Sequence, residues 1–249
     1  MNIQTLTQDV RAAEPAWAGD ASKSCASMGS RMKYSRLIGA LFLLGFVSYG
    51  TGFGLVSSVV GAPDFLATIS AHRTTLIVGA FLMLLNSVVD VGKGVLFFPI
   101  VENHGKRTAL AYLAAMVLEV ALLAVGILSL LLIVPLGQYA GGTGNDWAGP
   151  LGALLVQSNT MAYLIAMMTL SLGNIFLWSL CFRTRLIPRW LSAWGVAGYV
   201  VFLAGAAAEI FGVQVSLLTS IPGGLFEVAL GFWLLTRGFE PKAYSKASA

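Results

Sequence analysis

Long apolar stretches alternate with short polar connections along most of the chain. Six stretches each reach the roughly 20 residues that cross a hydrocarbon core about 30 Å thick. These apolar runs are residues 37–60, 75–101, 108–134, 160–181, 190–211 and 216–236. They are continuous rather than alternating, which favours helices over the strands of a barrel. The pattern predicts an all-α, polytopic transmembrane bundle of about six helices.

Polar residues gather at the two ends of the chain. Residues 1–35 show no apolar period and are rich in small polar and charged residues, so they predict a disordered N-terminal tail. Residues 36–238 then form the six-helix domain, and residues 239–249 form a short C-terminal tail. No apolar run follows Met1, which argues against a signal peptide there. Met28 and Met32 each precede a basic stretch and the first run, so the true start is open among these three methionines.

The composition agrees with a lipid-facing surface. Hydrophobic residues make up 57% of the chain and charged residues 10%, with a mean hydropathy of +0.81. An ordinary soluble domain carries roughly 25% charged residues. The net charge of +4 does not indicate nucleic acid as a partner, because the basic residues sit at the ends of the apolar runs. The predicted partner is the lipid bilayer.

The basic residues also predict the orientation of the bundle. Thirteen of the fifteen Lys and Arg residues fall in the tails and the two even-numbered connections. Arg73 alone lies in an odd-numbered connection, and Lys93 lies inside a run. Because cytoplasmic segments carry the excess of Lys and Arg, both termini are expected in the cytoplasm. This arrangement requires an even number of helices.

Four short motifs carry a family resemblance, and they span roughly residues 35–240. They are Arg36-Leu-Ile-Gly39, the hairpin leading into Ala109 through Glu119, Leu186-Ile-Pro188-Arg189 with Gly195 and Gly198 beyond it, and Pro222-Gly-Gly-Leu-Phe-Glu227 followed by Trp233-Leu-Leu and Gly238. Their order and spacing resemble a group of bacterial membrane proteins known as the domain-of-unknown-function family 4386. The resemblance implies a six-helix bundle in a bacterial inner membrane and no established activity. The chain departs from the family in its long N-terminal tail and in Phe97-Phe98-Pro99 at the end of the second run.

Polar residues inside the apolar runs are the main functional clue. A charged group at the bilayer centre costs several kcal/mol, so it must face the bundle interior or water. The candidates for a substrate or ion site are Asn86, Asp90, Lys93, Glu119, Asn174 and Glu227. All six are side chains that can bind a cation, a proton or a polar ligand.

Their depths place most of these side chains at one level. At about 1.5 Å per residue, Asp90, Lys93, Glu119 and Glu227 lie between roughly 12 and 16 Å from the cytoplasmic helix ends. Asn86, Asp90 and Lys93 share one helix face, because they follow i, i+4 and i+7 spacing. We expect a buried cluster in which Lys93 pairs with Glu227 or Glu119, with Asp90 close by.

The charges of this cluster do not balance. One lysine cannot neutralise three carboxylates, so either some acids hold protons or a cation enters. This suits a small proton- or cation-coupled carrier. Two alternatives stay open, a non-catalytic membrane scaffold or assembly and stress factor, and an intramembrane enzyme that modifies lipids. Polar contacts between helices would serve the scaffold equally well.

Other features narrow the chemistry. No H-E-x-x-H, G-x-S-x-G or phosphate-binding glycine loop occurs, and we expect no catalytic residue set, cofactor or metal site. Gly50-x-x-x-Gly54 allows close helix approach, and packing within the bundle is favoured over homodimer formation. The homodimer stays an alternative, and the transported or bound small molecule or cation is not indicated.

Overall fold

The computed structural model describes residues 16–140 and 145–247. The first part of the predicted tail, residues 1–15, lies outside the described residues. The described chain is helical throughout, with no strand. Its helices are α1 (Ala16–Val60), α2 (Phe65–Leu136), α3 (Ala148–Thr184), α4 (Arg189–Ile210), α5 (Ser216–Thr236) and α6 (Pro241–Ala247), with a short 3-10 turn at Gly137–Tyr139. The predicted all-α fold is confirmed.

Helix α2 is a hairpin rather than a single rod. Its backbone is non-helical at Gly105, with φ −176° and ψ 84°. The ring centroids of Phe97 and Tyr112, on either side of this residue, lie 6.0 Å apart. At the far end, a Cβ built on Gly137 would lie 1.8 Å from Ile69, so the two arms are antiparallel over their whole length. The first arm (residues 65–104) and the second arm (residues 106–136) correspond to the second and third apolar runs.

Five described helices, α1 to α5, are long and apolar enough to cross a membrane. Since α2 folds back on itself, the bundle has six membrane-length segments, as the pattern of apolar runs predicts. The exposed surface is rich in large apolar side chains, among them Val88, Leu154 and Phe232. These side chains suit contact with lipid tails, and the protein is an integral membrane protein.

The helices form a closed ring in which each packs against the next and α5 returns to α1. Glycines allow the closest approaches. A Cβ on Gly39 of α1 would lie 2.7 Å from the carbonyl oxygen of Gly231 in α5. A Cβ on Gly52 of α1 would lie 2.7 Å from the carbonyl oxygen of Gly79 in α2. In contrast, Gly50 and Gly54 face open space. The sequence pattern favoured packing of these two glycines within the bundle, and the structure shows no such packing.

Three helices begin earlier than the apolar runs suggest, and one of them is α2, which begins at Phe65 rather than at residue 75. Helix α1 begins at Ala16 rather than near residue 36, and α3 begins at Ala148 rather than at residue 160. The extra turns of α3 have a packing partner, because Gly152 faces the ring of Phe65. Arg31 and Ser35 in the extra turns of α1 are buried. At these two residues, polarity therefore reflects polar contacts within the fold.

The partner of those α1 residues is the C-terminal segment. Arg31 donates a hydrogen bond of 2.8 Å from Nη1 to the carbonyl oxygen of Phe239, and the amide of Phe239 donates to Ser35 Oγ at 3.1 Å. The ring of His104 lies 3.0 Å from the carbonyl oxygen of Ala243. These contacts join residues on both sides of the domain boundaries expected at residues 36 and 238, which stay a prediction. The start of the first crossing and the C-terminal segment thus lie at the same end of the bundle, near the α2 hairpin, as an even number of crossings requires.

An aromatic cluster fills the bundle on this side. Phe97 is fully buried, and its ring lies 5.8 to 6.2 Å from those of Phe42, Trp178 and Phe239. The residue pair Phe97-Phe98 departs from the family pattern, yet Phe97 is the centre of this packing. The cluster closes the interior of the bundle at the end predicted to be cytoplasmic.

Candidate functional site

A cavity of about 570 Å³ lies inside the helix ring. Its walls come from all five long helices. The lining residues are Gly45, Phe46, Tyr49, Gly50, Phe53, Asn86, Asp90, Lys93, Glu119, Leu123, Tyr163, Met167, Leu170, Tyr199, Phe202, Ser220, Ile221, Gly223, Gly224, Leu225 and Glu227. This size falls within the range of about 300–1,000 Å³ that is usual for small-molecule sites.

The structure brings five of the six predicted residues to this cavity. Asn86, Asp90, Lys93, Glu119 and Glu227 all line it. Their shared depth along different helices is the reason that they meet. The sixth, Asn174, does not line the cavity.

Asn174 is not part of the cavity wall. It is buried on α3, and its amide donates a hydrogen bond of 3.0 Å to the carbonyl oxygen of Leu170, one turn earlier. Its Oδ1 has no hydrogen-bond partner among the residues that the structure describes. The side chain therefore stays close to its own helix and does not join the cluster.

Lys93 pairs with a residue of its own helix. Its Nζ lies 2.5 Å from Asp90 Oδ1, and Asn86 Nδ2 donates a hydrogen bond of 2.6 Å to the other oxygen, Asp90 Oδ2. The expected pairing with Glu227 or Glu119 is wrong. Asp90 is three residues away on the same face and is reached without crossing the cavity. Lys93 also lies 4.6 Å above the ring of Phe42, which adds a cation–π contact.

Glu227 has a partner on the neighbouring helix. The hydroxyl of Tyr199 on α4 donates a short hydrogen bond to Glu227 Oε1. Tyr199 is buried, while Glu227 is half-buried beside the cavity. The contact fixes the orientation of this carboxyl group across the α4–α5 interface.

Glu119 differs from the other two acids. Its side chain is 1% exposed, and its Oε2 has no hydrogen-bond partner within the described parts of the chain. A buried polar group without a partner costs free energy, more so when it is charged. A catalytic role or a bound ion is one explanation for such a group, and among the buried oxygens and nitrogens without a partner Glu119 Oε2 belongs to a carboxyl group in the cavity wall. Glu119 is therefore the strongest candidate for a residue that binds something the chain itself does not supply.

Aromatic side chains form the part of the wall that the sequence analysis missed. The rings of Tyr49 and Tyr163 stack with their centroids 6.1 Å apart, and Phe53 stacks on Tyr49 at 6.4 Å. All three line the cavity. Tyrosine suits both apolar cores and membrane interfaces, so its presence in an apolar run gave no signal. The polar hydroxyl group of a tyrosine within an apolar run is the one feature of the sequence that hints at a polar site there.

Glycines provide the space for the cavity. Gly45, Gly50, Gly223 and Gly224 lie in its wall. A Cβ on Gly45 would lie 2.8 Å from Asn86 Oδ1, directly against the polar cluster. Absence of a side chain at this position lets α1 lie close to the charged groups of α2.

The cavity opens between α1 and α5. Its lining residues on these two helices include exposed apolar side chains, such as Phe46 at 48% and Leu225 at 55%. The charged residues of α2 are buried beside α1, where a Cβ on Gly45 would lie 3.9 Å from Lys93 Nζ. Toward the α2 hairpin the interior is closed by the aromatic cluster around Phe97. The charged groups thus lie at the inner wall of a pocket whose opening faces sideways.

The acids are not arranged as a metal centre. Across the described ranges, no three His, Cys, Asp or Glu side chains come close enough together to hold a metal ion. Asp90, Glu119 and Glu227 instead sit at separate points of the wall. This geometry suits protons, or a ligand large enough to contact several points at once.

Fold and site together define a multi-pass α-helical membrane protein with an interior cavity that is largely apolar and carries charged side chains in its wall. The chain matches the family described as Domain of unknown function (DUF4386) over residues 37–238 and belongs to it. The resemblance drawn from the four motifs is confirmed. All residues of the cavity wall fall within the matched range. No curated protein and no solved structure matches the chain.

Proposed function

We propose that the protein is a small proton- or cation-coupled carrier whose binding site is the cavity between the five long helices. The observation that carries the proposal is Glu119, a buried carboxyl group in the cavity wall with an unpartnered oxygen. Intramembrane ionisable residues commonly mark ion and substrate pathways. A structural acid would be expected to have its oxygens satisfied by neighbouring helices.

The charge inventory of the wall supports the same function. Three carboxyl groups face one ammonium group, and that ammonium group is paired with Asp90. Glu119 and Glu227 are left for a proton or a cationic ligand. Their loading and unloading would change the charge of the cavity, which is the property that a coupled carrier needs.

The three acids have different roles in this proposal. Asp90 holds Lys93 and Asn86 in place, and Tyr199 orients Glu227. Glu119 accepts the transported or coupling cation. A bacterial inner membrane as the location, with both termini in the cytoplasm, stays a prediction.

A thermal-shift experiment on the purified protein tests the proposal. The probes are protons, sodium, potassium and tetramethylammonium, each added to the detergent-solubilised full chain. A ligand that binds only the folded state at 100 times its Kd stabilises it by about 2.7 kcal/mol. We expect stabilisation by protons or by a cation in the wild type and in Glu240→Gln, an exposed acid outside the cavity. Stabilisation should be lost in Glu119→Gln.

The scaffold alternative predicts a different outcome. A scaffold in which Glu119 is structural would respond to none of the probes, and Glu119→Gln would lower the melting temperature by itself. A response that persists unchanged in Glu119→Gln would also overturn the assignment. The wild type and Glu119→Gln differ only in an amide that replaces one carboxyl group, so their comparison isolates the effect of that acid's charge.

A further inference from the structure

The opening of the cavity lies at the level of the hydrocarbon core. Its exposed lining residues are Phe46 and Phe53 on α1 and Ile221 and Leu225 on α5. At about 1.5 Å per residue, they lie between about 14 and 24 Å from the predicted cytoplasmic ends of their helices. A hydrocarbon core is about 30 Å thick. A molecule that passes through this gap therefore comes from the bilayer and has an apolar part.

The gap widens away from the contact that joins the two helices. Near their cytoplasmic ends, α1 and α5 touch at Gly39 and Gly231. About three turns further along α1, a Cβ on Gly50 would meet nothing within 4 Å. Access from the end predicted to be cytoplasmic is closed by the buried ring of Phe97 and its aromatic neighbours. The sideways gap is thus the route to the charged groups that the helix packing leaves open.

The inner wall selects for positive charge. Glu119 is 1% exposed with an unpartnered oxygen, and Glu227 has no basic side chain within salt-bridge distance in the described part of the chain. The stacked rings of Tyr49, Phe53 and Tyr163 add aromatic surface to the same cavity. Aromatic faces and carboxylates are the groups that bind organic ammonium ions. Among the described residues, no three of the acids, His or Cys side chains are grouped closely enough to hold a metal ion, so a larger organic cation fits the wall better.

We propose that the cavity binds an amphiphilic organic cation that enters from the bilayer between α1 and α5. Its ammonium head lies beside Glu119, and its apolar chain lies in the gap, against Phe46 and Leu225. The inference rests on the proposed carrier function, for which it names the class of substrate. It commits to a small molecule as the occupant of the gap rather than to a second copy of the chain.

Photo-crosslinking in vesicles tests the inference. The full chain is reconstituted in phosphatidylcholine vesicles with a low mole fraction of hexadecyltrimethylammonium that carries a diazirine in its chain. The matched probe is the uncharged hexadecanol with the same diazirine. After illumination, mass spectrometry locates the adducts. We expect the cationic probe to label the gap at Phe46, Phe53 or Leu225, and the alcohol to label it about tenfold less, a ratio that corresponds to about 1.4 kcal/mol.

A pair of glycines provides the steric control. Gly50→Trp places an indole at the opening, at a position where a Cβ meets nothing within 4 Å. Gly54→Trp makes the same change one turn further along α1, also in open space, at a residue that does not line the cavity. Labelling of the gap should fall several-fold in Gly50→Trp and stay unchanged in Gly54→Trp. Glu119→Gln should reduce labelling by the cation and leave labelling by the alcohol unchanged.

Three outcomes would overturn the inference. Equal labelling by both probes would show that the gap takes lipid chains without regard to charge. Labelling that is indifferent to Gly50→Trp would place the probe outside the cavity. Loss of all labelling, together with disulfide cross-links between copies bearing Gly50→Cys, would show that a second copy covers the gap. The carrier proposal is judged separately, because a Glu119-dependent response to protons or tetramethylammonium would survive any of these results.

Discussion

Removal of the Asp90 carboxylate should be among the most destabilising conservative changes in the protein. Asp90 and Lys93 are 4% and 5% exposed, and their charged atoms lie 2.5 Å apart. At an effective dielectric constant of about 20, this separation corresponds to a Coulomb attraction of about 7 kcal/mol, which the cost of burying both charges offsets in part. Asp90→Asn keeps the shape of the side chain but leaves Lys93 charged and unpaired. The expected loss in free energy of unfolding is about 3 to 5 kcal/mol.

A double-mutant cycle measures the pair itself. Asp90→Asn, Lys93→Met and the double variant are unfolded reversibly with dodecyl sulfate in bicelles, with helix content as the signal. The double variant has no unpaired charge, so it should lose less stability than the two single variants together. We expect a coupling energy of at least about 2 kcal/mol, whereas hydrogen bonds between membrane helices couple by about 0.6 kcal/mol on average. The cycle between Lys93 and Glu119 should give the smaller value of the two.

A coupling near 0.6 kcal/mol or below between Asp90 and Lys93 would refute the reasoning. It would mean that both groups are neutral in the bilayer and share an ordinary hydrogen bond. A larger coupling of Lys93 with Glu119 than with Asp90 would restore the pairing that the helix depths suggested. In either case the assignment of Asp90 as the structural acid would fail.

Two further predictions concern helix packing and the orientation of an acid, and each has a matched control. Gly39→Ala places a methyl group 2.7 Å from a backbone oxygen of α5. It should lower the free energy of unfolding by about 1 to 3 kcal/mol in the same unfolding assay. The control, Gly54→Ala, adds its methyl group in open space and should leave the stability unchanged or raise it slightly. Tyr199→Phe removes the hydroxyl that donates to Glu227. For a charged Glu227, this should lower the free energy of unfolding by about 1.5 to 3 kcal/mol. The control, Tyr139→Phe, changes an exposed residue, and its free energy of unfolding should stay within about 0.5 kcal/mol of the wild type. Equal effects at either pair of positions would contradict the contacts described.

The level of the polar cluster in the bundle could be predicted from the sequence, and its contacts could not. Asp90, Glu119 and Glu227 lie at similar distances from helix ends that the apolar runs define, so their meeting at one cavity followed from helix geometry. The partner of Lys93 depended on rotamers. Asp90 lies three residues before Lys93, which is visible in the sequence. The prediction nevertheless favoured Glu119 and Glu227 as partners of Lys93, because they lie at the same depth in the bilayer.

The missed features have a common physical reason. Tyr49 and Tyr163 are ordinary members of apolar runs, and only the approach of α1 to α3 turns them into a stacked wall. The helix continues before residue 36 without an apolar run. Arg31 and Ser35 in this part of the helix form hydrogen bonds with the backbone of Phe239 and do not contact lipid through apolar side chains. Periodicity reports which residues face a core or a bilayer. It does not report polar contacts between segments that are distant in the sequence.

Charge movement in proteoliposomes tests the central claim most directly. Vesicles with the wild type, Glu119→Gln or Glu240→Gln are adsorbed on a solid-supported membrane, and currents are recorded after jumps in protons, sodium, potassium or hexyltrimethylammonium. We expect a current with protons or one of the cations for the wild type and Glu240→Gln, and no current for Glu119→Gln. The Glu119→Gln variant should keep its helix content, and its free energy of unfolding should stay within about 1 kcal/mol of the wild type, because no hydrogen bond to Oε2 is lost. No current in the wild type, or equal currents in Glu119→Gln, would contradict a carrier that binds its cation at this residue.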